Sequence, residues 1–376
     1  MADRPHILFL FSDTGGGHRS AANAIIEALE IYFPGQVTTE MLDFFKVYAP
    51  PPFDKAVTTY APMAQVPDLW ELGYRLSNGK YRSKLIQDVI WPYVRKAAES
   101  LVQEHPCDLF LSVHPIINTP ILRALEPGCK PYLTVITDLV TTHALWYNKN
   151  ATLTMAPTEE ARQRGIDLGM ALEKIEVVGQ PIADQFRQPS PSKAKLRKQL
   201  GWPEDQPVAL VVGGGEGMGP IEEMVQAIDQ AKIDLMMAII AGRNQALQDS
   251  LKSANLQTAH KIYGFVDMMP DLMNAADVIL TKAGPGTISE AFITGLPIIL
   301  YSKMPGQEDG NVDYVVGKGA GVWAPYPEQV VTTLRYWIDH PEALLKVANT
   351  SKSLARPDAS LNIAKRVVEI VRNRQI

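Results

Sequence analysis

The chain has 376 residues, 46% of them hydrophobic and 20% charged, with a formal net charge of −5. That length holds two domains with full cores, and the charge excludes a molecule that binds nucleic acid or another polyanion with its whole surface. Two cysteines, Cys107 and Cys129, offer neither a disulfide framework nor a zinc pattern, which fits a reducing cytoplasm.

The first apolar run, Ile7–Phe11, is too short for a signal peptide, and Ser12-Asp13 stops it. No run approaches the ~20 apolar residues of a spanning helix. A membrane would be met by lying on it. Along the chain, His6–Phe11 reads as a strand and Ser20–Tyr32 as a helix with Ala21, Ala22, Ile25, Ile26 and Leu29 on one face. Strands follow at Asp108–Val113, Pro131–Thr137, Ala151–Ala156 and Ile175–Val178. After a polar stretch, Arg187–Glu204, the pattern restarts. Strands are expected at Pro207–Val212, Leu235–Ala241, Lys261–Tyr263, Val278–Thr281 and Pro297–Tyr301, and helices at Glu222–Gln230, Pro325–Ile338 and Leu361–Ile376.

Alternating strands and helices in two blocks predict an α/β protein of two doubly wound, Rossmann-like domains facing across a cleft. The expected division is 1–185 for the first domain, 186–205 for a linker and 206–355 for the second. A C-terminal helix over 356–376 is expected to pack back on the first domain. Ligands in such folds sit beyond the carboxyl ends of the strands. Glycine turns stand at those ends: Gly15-Gly16-Gly17, Gly213–Gly219 and Gly284–Gly286.

One segment breaks the alternation. Phe44–Tyr93 is rich in proline and aromatics, including Trp70, Tyr74 and Trp91. Between Arg75 and Lys96 lie six basic residues, Lys80, Arg82 and Lys84 among them, and one acid, Asp88. Rings and cations together suit a lipid headgroup interface. A plain helical insertion with a solvated basic face is the alternative.

The longest local motif is TKAGPGTISEAFITGLPIIL, Thr281–Leu300. A strand ends, Gly284-Pro285-Gly286-Thr287 turns, and a helix begins, so N–H groups and the helix dipole favour a phosphate there. Glu290, read as first-turn, suits a ribose diol. GGGEGMG, with Gly214 and Gly215, fits neither the dinucleotide fingerprint nor a P-loop, which argues against hydride transfer and a P-loop kinase. Arg243 in AGRN follows another strand and could reach a phosphate. Gln307 and Glu308 together could hold adjacent sugar hydroxyls. His18, His114, Asp138 and His143 are candidate bases. No Asp-x-Asp occurs, so a leaving diphosphate would be stabilised by helix N-termini and Arg243.

The blocks SDTGGGHRSAANAI, SVHP, VITDL with Thr142, His143 and Trp146, GGGEGMGPIE, AGRN and TKAGPGTISEA…GLPIIL…PGQE closely resemble the monogalactosyldiacylglycerol synthases of glycosyltransferase family 28. The resemblance spans residues 12 to about 321 and is weakest in the aromatic insertion. It implies a GT-B fold and an inverting, metal-free transfer of hexose from UDP-galactose or UDP-glucose to diacylglycerol, with galactose favoured. It implies that His18 is the general base, that Gly16 and Gly17 keep the acceptor side bare, and that Gly284–Thr287 hold the diphosphate. Glu290 would then hold the ribose, Gln307 and Glu308 the hexose, and Phe265 the uracil. No cofactor beyond the donor substrate is implied. The expected place is the cytoplasmic face of an anionic membrane, with no signal or transit peptide. A diacylglycerol glucosyltransferase, a UDP-sugar epimerase and a non-catalytic membrane-surface protein are the competing readings. The lipid-facing insertion argues against the epimerase, and the joint presence of His18, Gln307 and Glu308 against the last.

Overall fold

The computed structural model describes residues 4–13, 16–51, 67–126 and 128–373. Gly15 and residues 52–66 of the aromatic insertion lie outside them. The chain divides into two units. The first is Met1–Asp184 with Met304–Gln307 and Pro357–Ile376; the second is Gln185–Lys303 with Glu308–Arg356.

The first unit runs β1 (His6–Phe11), α1 (Gly17–Tyr32), β2 (Thr38–Asp43), α2 (Phe44–Val47), α3 (Pro67–Ser77), α4 (Lys80–Glu104), β3 (Leu109–Ser112), α5 (Pro115–Ala124), β4 (Tyr132–Val135), β5 (Leu153–Ala156), α6 (Glu159–Asp167) and β6 (Ile175–Val177). The strands form one parallel sheet in the order β2-β1-β3-β4-β5-β6. Its central strands are largely apolar because both faces are covered. Successive side chains point to opposite faces. Ile7, Phe9 and Phe11 therefore join Leu109, Leu111 and Val113 on one face, against Ile25 and Leu29 of α1. Leu8, Leu10 and Phe110 lie on the other face, against Leu101 of α4 and Ile117 and Ile121 of α5.

The second unit begins with α7 (Lys193–Leu200), then β7 (Val208–Val212), α8 (Ile221–Gln230), β8 (Met236–Ile240), α9 (Gln245–Ser253), β9 (His260–Tyr263), α10 (Met269–Ala275), β10 (Val278–Lys282), α11 (Pro285–Thr294), β11 (Ile298–Ser302), α12 (Asp309–Lys318), β12 (Gly321–Trp323), α13 (Pro327–Asp339) and α14 (Pro341–Ser353). Its parallel sheet has the order β12-β11-β10-β7-β8-β9. Ala209, Val211, Met237, Ile239 and Leu280 pack against Met224 and Ile228 of α8 and Leu334 and Trp337 of α13.

Three sequence expectations change. The stretch 186–205 is not a free linker. Its helix α7 buries Leu196 and Arg197, and Arg197 donates to the carbonyls of Ala275 and Glu204 and to Asp277. Strand β2 was not foreseen: it is a sheet edge whose sequence, TTEMLD, is too polar to read as an apolar run. The C-terminal helix, α15 (Ala359–Arg372), starts later than the expected 356, and supplies Ile363, Val367 and Val371 to the core of the first unit; residues 374–376 of the expected span lie outside the described residues. Ser360 fixes its start, its hydroxyl donating to the Ile182 carbonyl and accepting from the Ile182 N–H.

Candidate functional site

In open parallel sheets, ligands bind past the carboxyl ends of strands where the strand order reverses. In the first sheet the reversal lies between β1 and β3, and in the second between β7 and β10. Both points carry the glycine turns.

In the first unit the chain leaves β1 and enters α1 at Gly16, whose φ of 74° lies in the left-handed region that disfavours any side chain. A Cβ on Gly16 or Gly17 would meet nothing within 4 Å, so the turn faces open space. His18 follows on the first turn of α1. Its Nδ1 stands 2.9 Å from Thr137 Oγ1. Its ring lies edge-on to His114, at 4.6 Å between centroids, and 6.1 Å from Trp146. Burial lowers the His18 imidazole to about 4, with a hydrogen bond to the Val113 carbonyl acting in the opposite direction. Burial also lowers His114 well below the usual histidine range, and His18 adds to this. Both rings are neutral at physiological pH.

Asp138 and His143 support this wall. Asp138 Oδ2 accepts from Trp146 Nε1 at 2.7 Å and Oδ1 from Gln307 Nε2 at 3.2 Å. His143 Nδ1 accepts from the Leu145 N–H, and its Nε2 lies 3.1 Å from Ser77 Oγ. With both nitrogens engaged, His143 is a structural cap rather than the base that its residue type suggested.

The aromatic insertion needs a second correction. Trp70, Tyr74 and Trp91 are half-buried. The Tyr74 hydroxyl donates to the Thr141 carbonyl, and its ring meets His143 edge-on at 5.0 Å. Trp91 packs against the inner core with the Arg123 guanidinium 5.6 Å from its ring. Other apolar side chains face outward. Leu69, Leu72 and Leu76 form one exposed face of α3, and Tyr81, Leu85, Val89 and Tyr93 an exposed row on α4. Lys80, Arg82 and Lys84 are exposed beside that row. Periodicity alone did not tell which face of α4 packs inward. Among the described residues no helix is long and apolar enough to cross a membrane.

In the second unit the loop after β7 is folded on the loop after β8. The Arg243 N–H donates to the Gly215 carbonyl at 2.9 Å. Gly217 is required there, because a Cβ would fall 2.1 Å from the Ala241 carbonyl oxygen and φ is 60°. Arg243 does not stand free for a phosphate. Its guanidinium lies 4.2 Å over the Phe265 ring and pairs with Glu216 at 2.8 Å. Phe265 is 54% exposed. The two residues form one flat, cationic and aromatic surface beside Gly215.

At the end of β10, Gly284 is the N-cap of α11 and Pro285 its first residue. The N–H groups of Gly286 and Thr287 therefore belong to the unpaired first turn. Glu290 is the sixth helical residue, on the second turn, where the dipole is weak. Burial alone pushes its carboxyl up to about 7. Sequence reasoning passed over Lys282, the last residue of β10. Its ammonium is 2.8 Å from Glu308 Oε1, a carboxylate side chain only 7% exposed. A Cβ on Gly284 would lie 3.3 Å from this ammonium, and one on Gly214 would lie 3.6 Å from Lys282 Cε. One lysine thus stands against two bare turns and a helix N-terminus. Its place directly before Ala283-Gly284 was the available signal. No group of three or more His, Cys, Asp or Glu side chains among the described residues could hold a metal ion.

Residues 18–182 match the family model of the monogalactosyldiacylglycerol (MGDG) synthases, and residues 208–367 that of the glycosyltransferase family 28 C-terminal domain. The chain is 36% identical over 381 residues to a probable chloroplastic monogalactosyldiacylglycerol synthase of Nicotiana tabacum, covering 98% of this chain and 71% of that one. It is 36% identical over 388 residues to monogalactosyldiacylglycerol synthase 1 of Arabidopsis thaliana, covering 99% and 72%. Among solved structures, MurG of Acinetobacter baumannii superposes with a TM-score of 0.65 at 16% identity, over 98% of this chain and 99% of that one. A UDP co-structure of MnaA from S. aureus gives 0.63 at 15%, over 96% of both. At these identities the structures speak for the fold alone, two Rossmann-like units of the GT-B kind. The relatives in sequence speak for the family: the chain belongs to the monogalactosyldiacylglycerol synthases.

Proposed function

We propose that the protein is an inverting glycosyltransferase that moves galactose from UDP-galactose to the 3-hydroxyl of 1,2-diacylglycerol, making a β-monogalactosyldiacylglycerol and UDP. The observation that carries this reading is His18, a neutral imidazole beside open space at the switch point of the first sheet. With its ring positioned by Thr137, His18 takes the proton of the acceptor hydroxyl as that oxygen attacks the anomeric carbon. The bond from that carbon to the diphosphate oxygen breaks with its electron pair. Asp138 holds Trp146 and Gln307 in place and takes no proton.

The second unit supplies the charge that the leaving diphosphate needs. The first-turn N–H groups of α11 and the Lys282 ammonium meet the diphosphate, without a metal. Glu290 accepts from the ribose hydroxyls. Gln307 and Glu308 hold the hexose, Glu308 with one oxygen already on Lys282. Phe265 and Arg243 face the uracil. The protein lies on the anionic, cytoplasmic face of a membrane. The leucines of α3 and the row Tyr81, Leu85, Val89 and Tyr93 enter the headgroup region, and Lys80, Arg82 and Lys84 meet lipid phosphate.

Product analysis tests the whole reading. Diacylglycerol vesicles are incubated with UDP-galactose and with UDP-glucose in parallel, and the lipids are separated by thin-layer chromatography and weighed by mass spectrometry. A β-monogalactosyl product is expected. Absence of any glycosyl lipid overturns the reaction class, and a dominant glucosyl product overturns the hexose.

A further inference from the structure

Between β11 and α12 the chain turns at Met304–Gln307, a segment that belongs to the first unit. Gly306 is buried in this turn, and its φ of 80° lies in the left-handed region. It has a second reason to be glycine. A Cβ there would lie 3.2 Å from Cδ1 of Tyr74 and 3.5 Å from its Cβ and Cγ. The bare backbone of the turn therefore rests against the Tyr74 ring. The next residue is Gln307, whose Nε2 donates to Asp138 Oδ1 at 3.2 Å. That bond fixes which way the amide points and leaves Oε1 to accept from a sugar hydroxyl.

Tyr74 is the anchored partner in this contact. Its hydroxyl donates to the Thr141 carbonyl at 2.9 Å, and its ring stands edge-on to His143. At the end of α3, Ser77 Oγ lies 3.1 Å from His143 Nε2. Just beyond it, Asn78 Oδ1 accepts from the Ala144 N–H at 3.1 Å and from Arg164 Nη2 at 2.7 Å. These bonds fasten the C-terminal turn of α3 to residues 141–144. Side chains on a helix advance by about 100° per residue, so Tyr74 faces away from Leu69, Leu72 and Leu76, the exposed face of α3. We propose that Tyr74 is a positioning residue for the donor sugar. Its ring sets the backbone of Gly306 and so the root of the Gln307 side chain, while Asp138 sets its tip. The proposal rests on Gln307 holding the hexose. A misplacement of about 1 Å near a reacting centre is worth up to about a hundredfold in rate, and losing one of two supports should cost about tenfold.

A double-mutant cycle with Gln307→Ala tests this, run on the full-length protein with diacylglycerol vesicles and UDP-galactose. Tyr74→Ala should lower kcat/KM for UDP-galactose about tenfold, while UDP affinity by calorimetry and binding to vesicles stay unchanged. Tyr74→Phe, which keeps the ring, should remain within about twofold of the unmodified protein. Gly306→Ala should reproduce the loss. In the Gln307→Ala background, Tyr74→Ala should have no further effect. A merely structural tyrosine would cost the same in both backgrounds, and that result overturns the proposal. Tyr74→Leu, which keeps much of the apolar bulk, carries the same cycle where Tyr74→Ala does not fold. If Gln307→Ala is impaired and the two losses multiply, only the role of Tyr74 falls. If Gln307→Ala turns over UDP-galactose normally, the hexose assignment falls and the proposal with it.

Discussion

His18 Nδ1 and Thr137 Oγ1 are 2.9 Å apart, joining the first turn of α1 to the end of β4 across the switch point of the first sheet. A base held in this way is fixed in direction. His18→Ala should lower the transfer rate by roughly 10²–10⁴-fold, the usual range for a lost general base, and leave UDP binding intact. Thr137→Val should cost about tenfold in kcat, and Thr137→Ser should restore most of it. Steady-state kinetics with UDP titration calorimetry separates these effects. Loss of UDP affinity in His18→Ala with turnover unchanged would remove the base assignment.

Lys282 has two roles that substitution can separate. Lys282→Met leaves the buried Glu308 carboxylate without its cation, which should destabilise the protein by roughly 2–4 kcal/mol. It should also weaken UDP binding. The double variant Lys282→Met/Glu308→Gln should regain the stability and not the UDP affinity. Melting curves and calorimetry read both. Activity should persist in EDTA, and a strict dependence on added manganese would contradict this assignment of the diphosphate charge.

If Glu290 holds the ribose as proposed, nucleotide binding depends on pH. Its free carboxyl is raised to about 7 by burial, so it is partly protonated at neutrality. A carboxylate that accepts from two ribose hydroxyls is favoured in its charged form. UDP affinity should therefore rise with pH through about 7, and binding should release protons into the buffer. Calorimetry in buffers of different ionisation heat measures that release. Glu290→Gln should abolish it.

Three imidazoles, His114 and His143 buried and His18 half-buried, make the first unit acid-sensitive. His18 and His143 are each lowered to about 4, and His114 lies well below its ordinary value, all mainly by burial. In this range the unfolded chain binds protons that the folded one refuses. Stability is then full above the ordinary histidine value of 6.5 and falls as pH drops from there toward about 4. Chemical denaturation at a series of pH values should show this loss, and His143→Gln should flatten part of it.

The exposed rows of α3 and α4 give separate handles on lipid binding. Replacing Lys80, Arg82 and Lys84 by Glu should weaken binding to anionic vesicles more than to neutral ones. Replacing Leu72, Leu76, Leu85 and Val89 by Ser should weaken binding to both. Vesicle sedimentation measures this, and equal binding by every variant would mean that these faces are merely solvated.

The sequence showed the fold class well, because apolar strands buried on both faces read as plain runs between amphipathic helices. β2 escaped since an edge strand needs few apolar residues. The glycine turns were legible for a related reason: only glycine fits where Gly217 meets Ala241. Side-chain partnerships were not legible. Nothing in the spacing tells that Arg243 lies on Phe265, that His143 is spent on Leu145 and Ser77, or that Lys282 reaches Glu308 across 26 residues. These depend on which loops the sheet order brings together. The aromatic insertion misled for the opposite reason. Trp70, Tyr74 and Trp91 have the composition of an interface, but the Tyr74 ring packs on His143 and the Trp91 ring on the core.

Helix α15 carries a consequence for how the protein is made. Ile363, Val367 and Val371 complete a core that β1 and α1 open, and residues 185–356 intervene. Domains commonly fold in order as they leave the ribosome. Here the unit synthesised first cannot finish first. The apolar flank of α1 stays uncovered until the second unit has emerged and α15 has been translated. A nonsense mutation or a protease cut near residue 356 would therefore damage the first unit while leaving the second intact. The nascent chain would need a chaperone most at the moment when its second unit is already built.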